Sequence, residues 1–321
     1  MTMSSELPAA ERAAGRRVPD FFIVGHHKSG TTALYEMLRR HPQIFMPDLK
    51  EPRFFASDLR PLFEPETSGT APRTWEQYLD LFAAAQPGQR AGEASPAYLR
   101  SSVAAQAIAA AQPDARCIAI LREPAGFVRS LHLQLVQEHA ELEKDLRRAV
   151  ANEERFIDGR RVLRYSDHVH YVEQLRRFHA VFPPEQFLIL IYDDFRRDNE
   201  ATVRRVLRFL GVDDSVRVEV TEANPTVRVR SLQLDSVVRG LYGGGGPVSR
   251  GVGATVKAIT PTRLRRGAAR AFRHRVVYGR PQAADERVMS ELRDRYRDEV
   301  VALSDYLSRD LVGLWGYDSP E

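Results

Sequence analysis

Residues 21–38, FFIVGHHKSGTTALYEML, dictate a strand, a tight loop and a helix in that order. The apolar run Phe21–Val24 is continuous rather than alternating, which predicts a strand covered on both faces. Gly25 ends it. Thr31 opens a helical pattern with Leu34, Met37 and Leu38 on one face, and Pro42 closes it. Between strand and helix, the backbone N–H groups of HHKSGT can curl into a nest for an oxyanion at the positive end of a helix dipole. Lys28 supplies a full charge, Ser29, Thr31 and Thr32 supply hydroxyls, and Gly30 lets the backbone approach a ligand closely. In the usual nucleoside-triphosphatase signature the lysine directly follows the last glycine. Here Lys28 stands two residues before Gly30.

Further apolar runs predict more buried parallel strands: CIAIL (117–121), FLILIY (187–192) and, more weakly marked, AGEAS (91–95). Helical patterns follow over 101–111 and over DNEATVRRVLRFLG, where Val203, Val206, Leu207 and Leu210 share a face and Gly211 is the stop. A long helix is predicted over 284–307, with Val288, Leu292, Tyr296, Val300, Leu303 and Leu307 against the core. Strand–helix alternation of this kind predicts an α/β fold with right-handed crossovers.

At 321 residues and 43% hydrophobic, the chain can bury one large core. We expect residues 1–19 to be a disordered lead-in and residues 20–317 a single domain. A formal net charge of +4 hints at anionic ligands and is no nucleic-acid signature. The lone cysteine, Cys117, allows no internal disulfide and reads as a buried thiol in an apolar strand. No stretch approaches the ~20 apolar residues that span a bilayer, and the N-terminus lacks a signal-type apolar segment, so the expected location is the cytoplasm.

A kinase needs an acid at a neighbouring strand end to hold magnesium. The strand CIAIL instead runs into Arg122 and on through ILREPAGFVRSLHL, a context suited to a second phosphate. Two anionic groups and no metal are therefore expected. His26 and His27 are adjacent, a poor arrangement for shared ligation, and no Cys/His cluster accompanies them.

GHHKSGTTAL and ILREPAGFVRS resemble the two nucleotide-binding elements of the sulfotransferases that use 3′-phosphoadenosine 5′-phosphosulfate (PAPS). LKEPRFFASD, GEASPAYL, LILIYDDFRRDNEATVRRVLRFLGV and the C-terminal YGRPQAADERVMSELRDRYRDEVVALSDYL are similar to further segments of the bacterial and heparan/glucosaminyl types. The resemblance implies a P-loop-like three-layer fold with a central parallel sheet flanked by helices. It gives Lys28, Ser29, Gly30, Thr31 and Thr32 to the 5′-phosphosulfate, and Arg122 and Ser130 to the 3′-phosphate. It makes Glu51 the general base, a role best served by a carboxyl whose pKa partial burial has raised. Lys28 would stabilise the leaving phosphate. A Lys-Gly-Arg run closes over the nucleotide in the glucosaminyl type; this chain has Tyr278, Gly279 and Arg280, with tyrosine in the lysine's place. Lys50, Arg53 (where many relatives have histidine) and Glu93 would face the acceptor, a carbohydrate, lipid or natural-product hydroxyl or, less favourably, an amine. A magnesium- and ATP-dependent small-molecule kinase and a non-catalytic nucleotide-binding module are the alternatives.

Between Asn224 and Pro281 the pattern breaks down into a Gly-interrupted stretch with twelve Lys/Arg and one acid, Asp235. We read 224–281 as a lid-like segment. Within it, 261–275 could form a basic helix for a membrane-surface contact.

Overall fold

A computed structural model describes residues 16–60, 71–138, 140–153, 165–217 and 285–318, together with the backbone of four two-residue strand pieces. The chain forms two compact units. The first comprises Met1–Phe127, Glu153–Asn224 and Ser290–Glu321; the second comprises Val128–Asn152 and Pro225–Met289.

The first unit is built on five parallel strands: β1 (Phe21–Gly25), β2 (Ile44–Phe45), β3 (Arg90–Ala94), β4 (Arg116–Leu121) and β5 (Phe187–Ile191). Their order is β2-β3-β1-β4-β5. β1 lies between β3 and β4, with Phe22 opposite both Glu93 and Cys117. The apolar runs become strands because both faces are covered: Phe21, Phe22, Ile23 and Val24 are all fully buried. The chain leaves β1 towards β2 on one side and leaves β4 towards β5 on the other. Their carboxyl ends therefore flank a topological switch point, where open α/β sheets bind ligands.

Helix α1 (Thr31–Leu38) follows β1, and α2 (Trp75–Asp80) precedes β3. Thr74 and Gln77 form a capping box at the start of α2. Then come α3 (Ala104–Ala111) and α4 (Pro124–Gln137), which starts in the first unit and continues into the second, where α5 (Leu146–Ala151) also lies. They are followed by α6 (Tyr171–His179), α7 (Tyr192–Arg197), α8 (Asn199–Leu210), α9 (Glu286–Leu307) and α10 (Leu311–Trp315). One sheet face carries α1 and α8, whose Leu34, Leu38, Val203, Val206, Leu207 and Leu210 join Phe21, Ile23, Ile118 and Ile120 in one cluster. Burying each large apolar side chain contributes roughly 1.5–3 kcal/mol. Asp198 caps α8 by accepting from the Ala201 amide at 2.9 Å, and Gly211, at φ 69°, stops it as expected.

Residues after α9 fasten onto the ends of β4 and β5. Arg309 pairs with Asp194 at 2.6 Å, Trp315 Nε1 donates to Asp193 at 2.9 Å and Tyr317 donates to Glu123 at 2.5 Å. In the second unit, Asp145 caps α5, His132 Nε2 lies 3.2 Å from the Lys144 carbonyl, and Arg228–Val229 pairs antiparallel with Tyr278–Gly279. The GGGG run, the basic 261–275 stretch and Arg280 lie outside the described residues.

Gly92 faces the Phe21 ring so closely that an added Cβ would sit 2.1 Å from Cζ. Phe21 is fully buried and has little room to withdraw. Gly92→Ala should therefore lower the unfolding free energy by roughly 1–3 kcal/mol, read from the urea midpoint. An unchanged midpoint would mean that the ring moves aside freely.

Candidate active site

The loop after β1 is held at both ends and turned sharply in the middle. Lys28 (φ 58°) and Gly30 (φ 86°) both take the left-handed conformation. Gly30 also faces α7: a Cβ there would come within 3.0 Å of the Phe195 ring. As the N-cap of α1 it offers no side chain to the first helical amides, which are left to other acceptors. The Arg122 guanidinium, just beyond β4, donates to the Lys28 carbonyl at 2.8 Å and lies 4.9 Å from the centroid of the Tyr192 ring. Thr31 is buried and Thr32 half-buried. Ser29 is fully buried and donates to the His27 carbonyl at 3.2 Å, so its hydroxyl faces the loop itself. Ser130 belongs to the second unit; its hydroxyl is buried and without a partner among the described residues.

Glu51 is presented from β3. Its amide bonds the Ala94 carbonyl at 3.0 Å, the Arg53 amide bonds the Ser95 hydroxyl at 3.0 Å, and the Phe55 amide bonds the Tyr98 hydroxyl at 3.3 Å. These anchors hold Glu51 (φ 61°) and Arg53 (φ 53°) in backbone conformations that non-glycine residues seldom adopt. Both carboxylate oxygens are engaged: Lys50 Nζ on Oε1 at 2.6 Å and an Arg53 nitrogen on Oε2 at 2.8 Å. The expected raised pKa is not found. Burial pushes the Glu51 carboxyl up, but Lys50, His27 and Arg53 outweigh it and hold the group down at about 2.

Glu93, expected at the acceptor side, is fully buried. Its Oε2 accepts from Tyr78 at 2.5 Å and Tyr98 at 3.0 Å. Burial raises its carboxyl to about 7 against the opposing bonds from Ser95, Tyr78 and Tyr98. It stands under the Glu51 loop through Tyr98, which spans Glu93 and the Phe55 amide.

Sequence reasoning weighed His26 and His27 only as metal ligands and passed over the third imidazole that joins them beside the loop, His168. The His26 ring packs edge-on against Phe127 at 4.5 Å, Tyr171 at 5.4 Å and His168 at 5.8 Å, and His27 lies 6.1 Å from His168. Burial lowers His26 to about 3 and His27 to about 4, and it pushes His168 well below the ordinary range. All are neutral near pH 7. Their contribution to the site is shape rather than charge. Arg100, coupled electrostatically to all of them, is lowered by burial to about 10 and stays cationic. No signal in sequence spacing marks His168, since only the fold brings it to the loop. Among the described residues no group of three or more His, Cys, Asp or Glu is arranged to hold a metal ion.

Lys28 thus follows the carboxyl end of β1, Glu51 is anchored at the carboxyl end of the neighbouring β3, and Arg122 holds the Lys28 carbonyl, all in one unit. Residues 19–215 match the Sulfotransferase family, and the chain belongs to it. The structure of a sulfotransferase from Alicyclobacillus acidocaldarius is similar over 94% of this chain and 99% of that one, at 25% identity and a TM-score of 0.66. Carbohydrate sulfotransferase 15 of Mus musculus is 25% identical over 251 residues, 61% of this chain and 44% of that protein. Heparan sulfate glucosamine 3-O-sulfotransferase 6 of Homo sapiens is 28% identical over 214 residues, 64% of this chain and 56% of that protein. The chain spans about half the length of these curated relatives.

The Glu51 ion pairs make a pH prediction. A carboxyl lowered from 4.5 to about 2 adds stability that is complete above about pH 4.5 and drains away as the pH falls towards 2. The difference in unfolding free energy between the wild type and Glu51→Gln should therefore narrow by roughly 2 kcal/mol between pH 7 and pH 3. A gap independent of pH would show that the pairs contribute nothing.

Proposed function

We propose that this protein transfers a sulfuryl group from PAPS to a hydroxyl of a carbohydrate acceptor, with Glu51 as general base. One observation carries the reading: the Lys28 loop leaves the carboxyl end of β1, and Glu51 is anchored by its amide to the Ala94 carbonyl at the carboxyl end of the adjacent β3. The left-handed Gly30 and the α1 N-terminus without a side-chain cap fit a phosphosulfate. When bound, PAPS supplies the sulfuryl group, whose sulfur takes a bond from the acceptor oxygen as its bond to the 5′-phosphate oxygen breaks and leaves the electron pair there. Lys28 and the loop amides stabilise charge growing on that oxygen. Glu51 receives the acceptor's proton. By resemblance, Arg122 is assigned to the nucleotide. The names of the curated relatives support a carbohydrate acceptor.

The kinase alternative needs a carboxylate for magnesium at a strand end. Glu123, Asp193 and Asp194 do follow β4 and β5, but each is engaged. Glu123 accepts from the Ala125 and Gly126 amides and from Tyr317, Asp193 from Trp315, and Asp194 pairs with Arg197 and Arg309.

Calorimetric titration with 3′-phosphoadenosine 5′-phosphate is the direct test. Binding should need no metal and should exceed that of ADP with or without magnesium. Arg122→Ala should weaken it roughly 10- to 100-fold, the worth of a hydrogen bond to a charged group. Lys28→Ala should lower turnover about 10²- to 10³-fold. Preference for ADP with magnesium would overturn the sulfotransferase reading.

A further inference from the structure

We propose that Glu93 is a positioning residue for the Glu51 loop: by taking the protons of the Ser95 and Tyr98 hydroxyls it turns their lone pairs to the Arg53 and Phe55 amides, and so holds the base from beneath. The inference rests on the assignment of Glu51 as base and adds the residue that sets where that base stands.

The loop is anchored through the amides of Glu51, Arg53 and Phe55. Glu51 bonds the Ala94 carbonyl, an acceptor fixed in the sheet. Arg53 and Phe55 bond hydroxyls instead, those of Ser95 at 3.0 Å and Tyr98 at 3.3 Å. A hydroxyl can turn, and it accepts from an amide only while its proton points elsewhere. The Tyr98 proton goes to Glu93 Oε2, at 3.0 Å. The Ser95 hydroxyl bonds the same carboxyl. With Glu93 as a carboxylate, both hydroxyls donate to the core and accept from the loop. With that acceptor gone, either proton is free to swing against an N–H, leaving two buried donors face to face. Between these anchors Glu51 and Arg53 hold φ of 61° and 53°, conformations that persist only where the surroundings over-determine them.

Tyr78 makes an internal comparison. It too donates to Glu93 Oε2, at 2.5 Å, but it meets the loop through its ring, stacked on Phe54 with centroids 4.6 Å apart. Glu93 Oε1 is buried with no hydrogen-bond partner among the described residues, so the network converges on Oε2. A protonated Glu93 offers these hydroxyls a weak acceptor or a competing donor in place of a full charge. Burial brings that change to about 7. Facing Glu93 are Tyr78 from α2, Ser95 and Tyr98 after β3, and the Glu51 charge from the loop, while Phe22 of β1 lies opposite it in the sheet. Glu51 is held at about 2 and His27 at about 4, so a change in the loop across neutral pH belongs to Glu93.

The test follows the Arg53 and Phe55 amide resonances of the ¹⁵N-labelled full chain as it is titrated across neutral pH. Both should shift with one midpoint near 7. Glu93→Gln should silence both. Tyr98→Phe should silence Phe55 and leave Arg53 moving, and Ser95→Ala should do the reverse. Tyr78→Phe should keep both responses and raise their midpoint, because its hydrogen bond holds the Glu93 carboxyl down. With PAPS and 4-nitrophenyl β-glucoside, Tyr98→Phe should lower kcat roughly tenfold or more with little change in the KM for PAPS, the signature of a displaced base. Tyr78→Phe should keep kcat close to the wild type, whereas a network that merely supports the fold would respond alike to the two tyrosine substitutions. Amides that stay still, or that keep moving in Glu93→Gln, overturn the inference, as does an equal loss of kcat in the two tyrosine variants. Should Glu93→Gln fail to fold, the Tyr98→Phe and Ser95→Ala pair still decides. Absence of 3′-phosphoadenosine 5′-phosphate binding in the wild type would sink the proposed function; the amide shifts decide the role of Glu93 in the loop either way.

Discussion

β1 is hydrogen-bonded along both edges and buried on both faces, so it has no freedom to slide, and the chemistry of the protein is referenced to its end. The registers with β3 and β4 fix where the Lys28 loop begins. α1, pressed into the core by Leu34 and Leu38, fixes where it ends. Two left-handed residues then take up the geometry between those points, and Arg122 fastens the loop from the β4 side. The same sheet positions Glu51, because β3 holds that residue's amide on its last carbonyl. A placement of Glu51 and Lys28 that looks like a property of two loops is a property of strand pairing.

Two carboxyls belonging to neighbouring segments, Glu51 and Glu93, are driven in opposite directions. Both are penalised by burial, yet one is held at about 2 and the other raised to about 7. The difference lies in their partners. Glu51 is met by full positive charges, which reward ionisation strongly. Glu93 is met by hydroxyls, which reward it weakly, and burial wins. The imidazoles beside the loop are subject to the same burial; Glu51 pulls His27 the other way but does not outweigh it, and they remain neutral. The positive character of this edge therefore comes from lysines and arginines, and the group that titrates near neutral pH is Glu93 behind them.

Much of this was legible in the sequence where local pattern and tertiary role agree. The runs at 21–24, 117–121 and 187–191 are strands because they are apolar on every residue, and Gly211 ends a helix because it alone tolerates the turn. β2 spans only two residues and is too short to leave a pattern. Two helices left signals that went unused: the Thr74–Gln77 capping box and the amphipathic repeat Tyr171, Leu175, Phe178. The site divides in the same way. Lys28, Gly30 and Arg122 stand out because phosphate loops have local signatures. The Glu93–Tyr78–Tyr98 network and His168 have none, since their partners are chosen by packing. The effect of Lys50 and Arg53 on Glu51 was adjacent in sequence but decided by rotamers.

The contacts made by Arg309, Trp315 and Tyr317 have a consequence for the order of assembly. Tyr317 reaches back 194 positions to Glu123 and Trp315 reaches back 122 to Asp193. Closing such spans is entropically slow and waits on everything between. During synthesis, all five strands leave the ribosome long before these residues do. The sheet can form early, while the segments just beyond β4 and β5, where Glu123, Asp193 and Asp194 sit, remain unlatched until the last of these side chains is free. The nascent protein passes through a stage in which the scaffold exists and the edge beyond β4 and β5 is still open, a stage at which a chaperone would find the C-terminal ends of these strands exposed.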